Sequence, residues 1–548
     1  MGGGILNLIA EGTPNNILHG NPTKTFFKAV YSKHTNFGLQ KFRVDYEGQK
    51  YLQLSESTKL SFKIPKYAEL LLDTYLVISL PTIWSALLKD NENNIRSYNF
   101  KWIENIGTEM IEEILVHSNG VNIQKFPGNY ISTMVERDFS TEKKKLFNEM
   151  TGNISELNNP EDVFHNNNNE KSYPSAKYNS DNDTPQPSIM GRKLYIPIST
   201  WWSFNSKMAF PLVSLEYSDL QIDITLRPIK ELFTIVDIDH NSDTSFNRVQ
   251  PNFSNIYHSF YRFLQPPIDI NFNTTKTYEN TNTNWNSDIH LISTYCFLSD
   301  EESKMFVDKP QQYLFKDVHK HHYKNITGAN KVKIETSSLV SNWMFYFQRD
   351  DIEKRNEWSN YTNKEFKVSK KYLLDYYTSL PTDLSWNNKI ISNNYQPSYT
   401  NSFIYSEDED ILINLGILLN GKYRETTMDV GVYNYIEKYN RSKGYCKDGL
   451  YVYNFGLNTG HDETQPYNAI NLNKFKNIEF EFTTIEPPPK SNDEYMTFKT
   501  ICDGNGELIG ITKNAWDIFQ YNYNLTIYEE RYNILTFNNG FCELHLSR

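Results

Sequence analysis

Three clusters and a set of cysteines in the 548-residue chain have the residue types that could do chemistry. His319, His321 and His322 form the tightest histidine group. A His-x-His pair is part of a metal set that also needs a carboxylate a few residues on and glycines in the flanking turns. Here the next glutamate is Glu335, Gly328 falls at the wrong spacing, and Lys316, Lys320 and Lys324 would repel a cation. The group reads as a lysine-rich, solvated loop. His461, Asp462 and Glu463 are adjacent, and three neighbouring side chains rarely converge on one ion without ligands from elsewhere. They read as a polar turn. Asp503-Gly504-Asn505-Gly506-Glu507 begins like a calcium loop, but Leu508 stands where the sharp bend requires glycine. Nor is it GxGxxG, since Gly510 is one position late.

Cys296, Cys446, Cys502 and Cys542 lie far apart, with no CxxC pair, and read as buried thiols rather than a zinc knuckle or disulfide framework. No GxSxG and no Walker lysine occurs. The sequence therefore predicts no catalytic constellation, no metal and no cofactor. A net charge of -11 without a basic run argues against neutralising the phosphates of a duplex, so no direct nucleic-acid partner is expected. No run of about eighteen apolar residues suggests a membrane span, and the start lacks the charged and apolar regions of a signal peptide. A cytoplasmic protein is expected.

The elements that would carry any site are strands. Aromatic residues reach 15 %, with 38 Tyr and 33 Phe, a composition that suits pleated, half-buried surfaces. Phe42, Val44 and Tyr46 alternate with polar neighbours, as do Leu60, Phe62 and Ile64. Tyr75 to Leu80 is a short, continuous apolar run that suits a buried strand. Leu220, Ile222, Ile224 and Leu226 alternate with Gln221, Asp223 and Thr225. Residues 139–188 read as a long surface loop with a short helix around Glu142 to Glu149, and 239–287 as a second polar insertion. Trp343 to Phe347 is a dense aromatic strand. The two halves of the chain also correspond. Ile114 to Val116 runs into Asn119-Gly120 as Ile417 to Leu419 runs into Asn420-Gly421, and Leu215 to Leu226 has a counterpart in Ile478, Phe480 and Phe482. Matched elements in the same order suggest a duplicated domain.

The chain opens with Gly2, Gly3 and Gly4, an apolar run from Ile5 to Ala10, and a turn at Thr13 to Asn16. After Gly20-Asn21-Pro22 come Phe26, Phe27, Val30, Tyr31 and Phe37. On composition this is an N-terminal strand tucked into the core. The order of Gly20 to Pro22, Thr25-Phe26-Phe27-Lys28 and His34-Thr35-Asn36-Phe37, followed by FGLQKFRVDYEGQ and FKIPKYAELLLDTYLVISLPTIWS, closely resembles the opening of the major capsid proteins of nucleocytoplasmic large DNA viruses, in their mimivirus-like branch. Later segments, AFPLVSLEYSDLQIDITLR, LISTYCFLSDEESKMF and YNFGLNTGHDETQPYNAINLNKFKNIEFEF, are similar as well. The family pattern departs at Tyr467-Asn468, at Leu472 to Phe475 and in the final ELHLSR.

The resemblance implies an all-β chain of two consecutive eight-stranded jelly-roll β-sandwiches: an N-terminal arm (1–25), a first jelly roll (26–298), a linker (299–310) and a second jelly roll (311–548). It implies a structural protein rather than an enzyme, one that forms homotrimeric, pseudo-hexagonal capsomers tiling an icosahedral shell. Neighbouring capsomers, minor capsid proteins and an assembly chaperone are the partners it suggests. Ile5, Leu6, Leu8, Ile9, Phe26, Phe27, Tyr31 and Phe37 are the residues expected at the capsomer base or against a neighbour. Two alternatives stand beside it: a minor capsid or scaffold paralogue of the same fold, and a glycan-binding β-sandwich.

Overall fold

The computed structural model describes residues 2–48, 51–89, 95–164, 172–176, 186–238, 248–267, 278, 280–363, 410–461, 464–485, 499–502, 508–512 and 521–546. Sixteen strands build its two sandwiches. The first uses β1 (Phe37–Val44), β2 (Thr58–Lys63), β3 (Leu70–Leu80), β4 (Ile111–Ser118), β5 (Val121–Phe126), β6 (Arg192–Pro197), β7 (Leu220–Leu226) and β8 (His290–Leu298). The second uses β9 (Gln311–Ile326), β10 (Ala329–Lys333), β11 (Leu339–Arg349), β12 (Leu412–Leu419), β13 (Lys422–Asp429), β14 (Leu450–Asn454), β15 (Ile478–Thr484) and β16 (Tyr523–Asn538).

Strand order is the same in both. In the first, β1-β8-β3-β6 faces β2-β7-β4-β5; in the second, β9-β16-β11-β14 faces β10-β15-β12-β13. Each is therefore 1-8-3-6 against 2-7-4-5, the jelly-roll arrangement of two antiparallel sheets. The internal correspondences in the sequence fall on equivalent strands. Asn119-Gly120 and Asn420-Gly421 both join strands four and five, with positive φ at all four residues, as a tight hairpin turn requires. The alternating segments are strand seven in each unit, and their apolar residues, from Leu220 to Leu226 and from Ile478 to Phe482, are buried.

The sheet β9-β16-β11-β14 is covered on both faces. Trp343, Phe345 and Phe347 point into the second sandwich, while Met344 and Tyr346 of the same strand join the core shared with the first. This explains why β11 reads as an unbroken aromatic run rather than an alternation. Inside the second sandwich Trp343 packs edge-on to Phe480 at 5.1 Å and against Phe455 at 4.8 Å.

The connections differ from the sequence expectation. Residues 139–188 are not simply a surface loop: a helix, Thr141–Thr151, is capped by Ser140 and buries Phe147 and Thr151, and Leu157 is buried beyond it. Within 239–287, Phe260, Phe263 and Tyr278 are buried. Asp300–Asp308, between the sandwiches, is a helix that opens on three acidic residues, the favourable end for negative charge. Phe480→Ala is expected to cost about 3–5 kcal/mol, read as a lower urea midpoint of unfolding.

Candidate assembly interface

The best-defined polar site lies in the seam between the sandwiches. After β5 the chain turns into helix α1 (Gly128–Asp138), most of which is buried. Its start leaves no room for a side chain, because a Cβ on Gly128 would stand 2.0 Å from the Thr108 carbonyl oxygen. The helix lies against the outer face of β16 and β11. There Glu530, fully buried on β16, accepts hydrogen bonds from Arg137 Nη2 (2.7 Å) and Tyr130 Oη (2.8 Å) at Oε1. It accepts another from Asn342 Nδ2 (2.8 Å) at Oε2, which lies 3.5 Å from Lys316 Nζ, while His461 Nε2 is 3.2 Å from Oε1. Arg137 also forks onto Asp138 at 2.9 and 2.7 Å and donates to Asn342 Oδ1 at 2.9 Å. Lys316 donates to the Thr459 carbonyl at 2.8 Å, and the Thr459 hydroxyl donates to Asp138 at 2.6 Å. Burial alone would raise the Glu530 pKa, but Arg137, His461 and Lys316 outweigh it and hold the carboxyl well below its ordinary range.

A second network sits at the helix start. Asn129 Oδ1 accepts from Tyr346 Oη (2.9 Å) and Tyr528 Oη (3.2 Å), and its Nδ2 donates to Glu109 (2.7 Å) and Tyr361 Oη (3.0 Å). Glu109 is buried, which pushes its pKa up. On the far side, Asn356 donates to the carbonyls of Lys230 and Phe233, both at 2.8 Å, and Trp358 donates to that of Glu231 at 3.0 Å. Aromatic packing closes the seam at Trp201, 5.2 Å from Tyr313 and 5.4 Å from Phe315. These groups act structurally: charges and amides that are fully paired fix one docking angle between two sandwiches.

The residues singled out at the N-terminus are elsewhere. Gly3–Ile9 forms a helix with no buried residue. Ile5, Leu6, Leu8 and Ile9 are exposed, as are Tyr31 and Phe37, and Phe26 and Phe27 are 87 % and 98 % exposed. The arm is therefore not a strand tucked into the core. It has no apolar residue of its own positioned to cover its rings. The histidine group is not in a loop but on β9, where His319 Nε2 is 3.0 Å from Asp317 and His322 Nδ1 is 3.0 Å from the Thr526 hydroxyl. Among the described residues no group of three His, Cys, Asp or Glu could hold a metal ion, and no helix is long and apolar enough to cross a membrane. Cys296, Cys446 and Cys542 are free and buried. Asp462, Glu463, the segment 503–507 and the Cys502 side chain lie outside the described residues.

Residues 25–262 match the family model for the major capsid protein N-terminus. Capsid protein 1 of Acanthamoeba polyphaga mimivirus is 27 % identical over 238 residues, covering 43 % of this chain. The major capsid protein of Phaeocystis pouchetii virus is 27 % identical over 241 residues, covering 44 % of it. These matches span 36 % and 44 % of the relatives' own lengths. The major capsid protein of Paramecium bursaria Chlorella virus 1 is 21 % identical across 98 % of both chains. In fold, PBCV-1 VP54 superposes with a TM-score of 0.61 at 16 % identity, covering 96 % of this chain and 100 % of that one. The Faustovirus major capsid protein does so with 0.58 at 10 % identity, covering 94 % and 93 %. The chain is similar to the large-DNA-virus major capsid proteins, in sequence mostly through residues 25–262 and in fold along nearly its whole length. Its two sandwiches are the double jelly roll of that group.

The seam is the feature that sequence reasoning missed. The signal was there in two places: Glu529-Glu530 stands in the middle of a strand, and Tyr130, Ile131, Met134 and Val135 repeat at helical spacing. Neighbouring Glu529 points the other way, into the second sandwich, where it accepts from Trp343 Nε1 (2.7 Å) and Thr336 Oγ1 (2.5 Å) and pairs with Arg531. Burial pushes its pKa up, but His321, Arg531, Thr336 and Trp343 together pull it down to about 2. A depressed carboxyl stabilises the fold above its ordinary pKa of 4.5 and loses that contribution as the pH falls through the folded value. Glu529→Gln is therefore expected to remove about 3 kcal/mol of the stability decline between about pH 4.5 and 2, measured by urea titration at stepped pH. Glu530→Ala, which strands Arg137 in the seam, is expected to cost about 3–5 kcal/mol at neutral pH.

Proposed function

We propose that this protein is a shell-building subunit of a large DNA virus, three copies of which close into a pseudo-hexagonal capsomer that tiles the facets of an icosahedral capsid. The observation that carries this reading is that one chain holds two sandwiches of identical strand order, locked together by a buried seam. Each chain is thus a rigid pair of like lobes. Three such pairs around a threefold axis give six lobes, a nearly hexagonal block that packs a plane through repeated contacts. The relatives named above are capsid proteins, which supports the reading; on it, the protein assembles in the host cytoplasm and ends in the virion.

The arm takes the second role. Ile5, Leu6, Leu8, Ile9, Phe26, Phe27, Tyr31 and Phe37 present apolar surface that a lone chain leaves in water, and an exposed apolar patch marks a contact. These residues meet the capsomer base or a neighbouring capsomer, with minor capsid proteins the further candidates. A minor-paralogue reading also has an observation behind it, because mimivirus alone supplies two relatives, Capsid protein 1 and Probable capsid protein 4. Abundance in purified particles separates the two: a major shell protein dominates the virion's protein mass.

Light scattering of the purified protein should give three times the 64.3 kDa chain mass; a stable folded monomer would argue against the capsomer. Deleting residues 1–20 should leave that mass unchanged per subunit count while preventing normal shells. Normal shells from the truncated protein would remove the arm from assembly.

A further inference from the structure

The seam inside one chain indicates which surfaces meet between chains. Within the chain, the helix that follows strand five of the first sandwich, α1, covers the outer face of the 1-8-3-6 sheet of the second. Both halves of that contact exist a second time and are left open. The second sandwich has its own helical segment after strand five, Val432–Ile436 continuing into Glu437–Arg441. The first sandwich has its own 1-8-3-6 sheet, β1-β8-β3-β6.

This helical segment carries exposed apolar surface. Tyr433 and Asn434 are buried on its inner side, while Tyr435, Ile436 and Tyr439 are exposed, Tyr439 to 89 %. Its last turn holds Arg441, as the last turn of α1 holds Arg137. Tyrosine and arginine are the types that dominate contact energy at interfaces.

The corresponding sheet of the first sandwich carries polar groups on the same three strands as its covered counterpart. In the second sandwich Lys316 on strand one, Asn342 on strand three and Glu530 on strand eight make the cluster. In the first, Lys41 on strand one donates to Thr294 on strand eight at 3.1 Å, and Thr294 donates to Asp73 on strand three at 2.9 Å. On the same outward face Tyr195 stands at the register position of Val77, and is 41 % exposed. Asp73 offers the carboxylate that an incoming arginine and phenols would meet.

We propose that the helical segment Val432–Arg441 of one copy docks on the outer face of β1-β8-β3-β6 of the next copy, repeating between chains the contact that α1 makes within one. Such a contact is head-to-tail, and three of them close a ring of six lobes in which every sandwich touches its neighbour in the same way. This rests on the capsomer reading and assigns its interface.

The test uses two full-length variants measured by light scattering, with circular dichroism to confirm folding. Tyr435→Asp combined with Tyr439→Asp alters only the helix; Tyr195→Asp alters only the sheet face. Each alone should fall from the trimer mass to that of a folded monomer. Mixed, they should form a heterodimer, because the sheet variant supplies an intact helix to the helix variant's intact sheet. If the unaltered protein is monomeric, the capsomer reading itself fails. If it is trimeric and both folded variants stay trimeric, the capsomer stands and this interface is overturned. Should one variant fail to fold, the mass of the other decides.

Discussion

A carboxylate with no access to water is the constraint on which this architecture turns. Glu530 sits at the centre of strand β16, and a buried charge is tolerated only when it is paired and fully hydrogen-bonded. Its partners come from four separate places: α1 of the first sandwich, β9, β11, and the loop holding Thr459 and His461. Lys316, Asn342 and His461 belong to its own sandwich, whereas Arg137 and Tyr130 reach it only when α1 is docked on that sheet. An apolar seam would hold the two units together as firmly, but would tolerate sliding. The ion cluster converts adhesion into a defined angle.

Because the seam needs both faces of one sheet, the two sandwiches diverged where their topology did not. Met344, Tyr346 and Tyr528 face the first sandwich from a sheet whose other side already forms a core. A sheet buried on both faces loses its period-two signature. That is why Trp343 to Phe347 of β11 reads as an unbroken apolar run, while β7 and β15, in the opposite sheets, alternate cleanly.

Much of the fold was legible for this reason. Leu220 to Leu226, Ile478 to Phe482 and the two Asn-Gly turns carry their structure locally, through side-chain period and permitted positive φ. The equivalence of the halves could be read from them. The seam could not, because Glu529 and Glu530 look like solvated charges until the surroundings of β16 are known. Helix α1 was hidden for a similar reason: it directly follows a strand and opens on Gly128, a poor helix former whose presence reflects the close approach of Thr108. Loops were also over-called as surface. Asn-rich stretches between 139 and 188 and between 239 and 287 masked the few residues, Phe147, Leu157, Phe260 and Phe263, that tie those connections to the core. The aromatic arm was misread by composition alone in the opposite direction, since Phe26 and Phe27 are almost fully exposed.

The contrast between the covered and the open 1-8-3-6 faces follows from when each is buried. The face of the second sandwich is covered as the chain folds, so it never has to be soluble and could become aromatic around its ion cluster. On the interface proposed above, the face of the first stays in water until another copy arrives. It accordingly keeps Lys41, Asp73 and Thr294 where the other has Lys316, Asn342 and Glu530, with salt bridges from Arg43 and Lys193 to Asp288 nearby. Polar groups that satisfy one another at the surface cost little to expose and, on docking, little to bury, because their hydrogen bonds are already made. A face of this kind suits subunits that fold first and assemble afterwards. On the same proposal, the apolar drive for association is left to the exposed side chains Tyr435, Ile436 and Tyr439 on the helix and the rings of the arm.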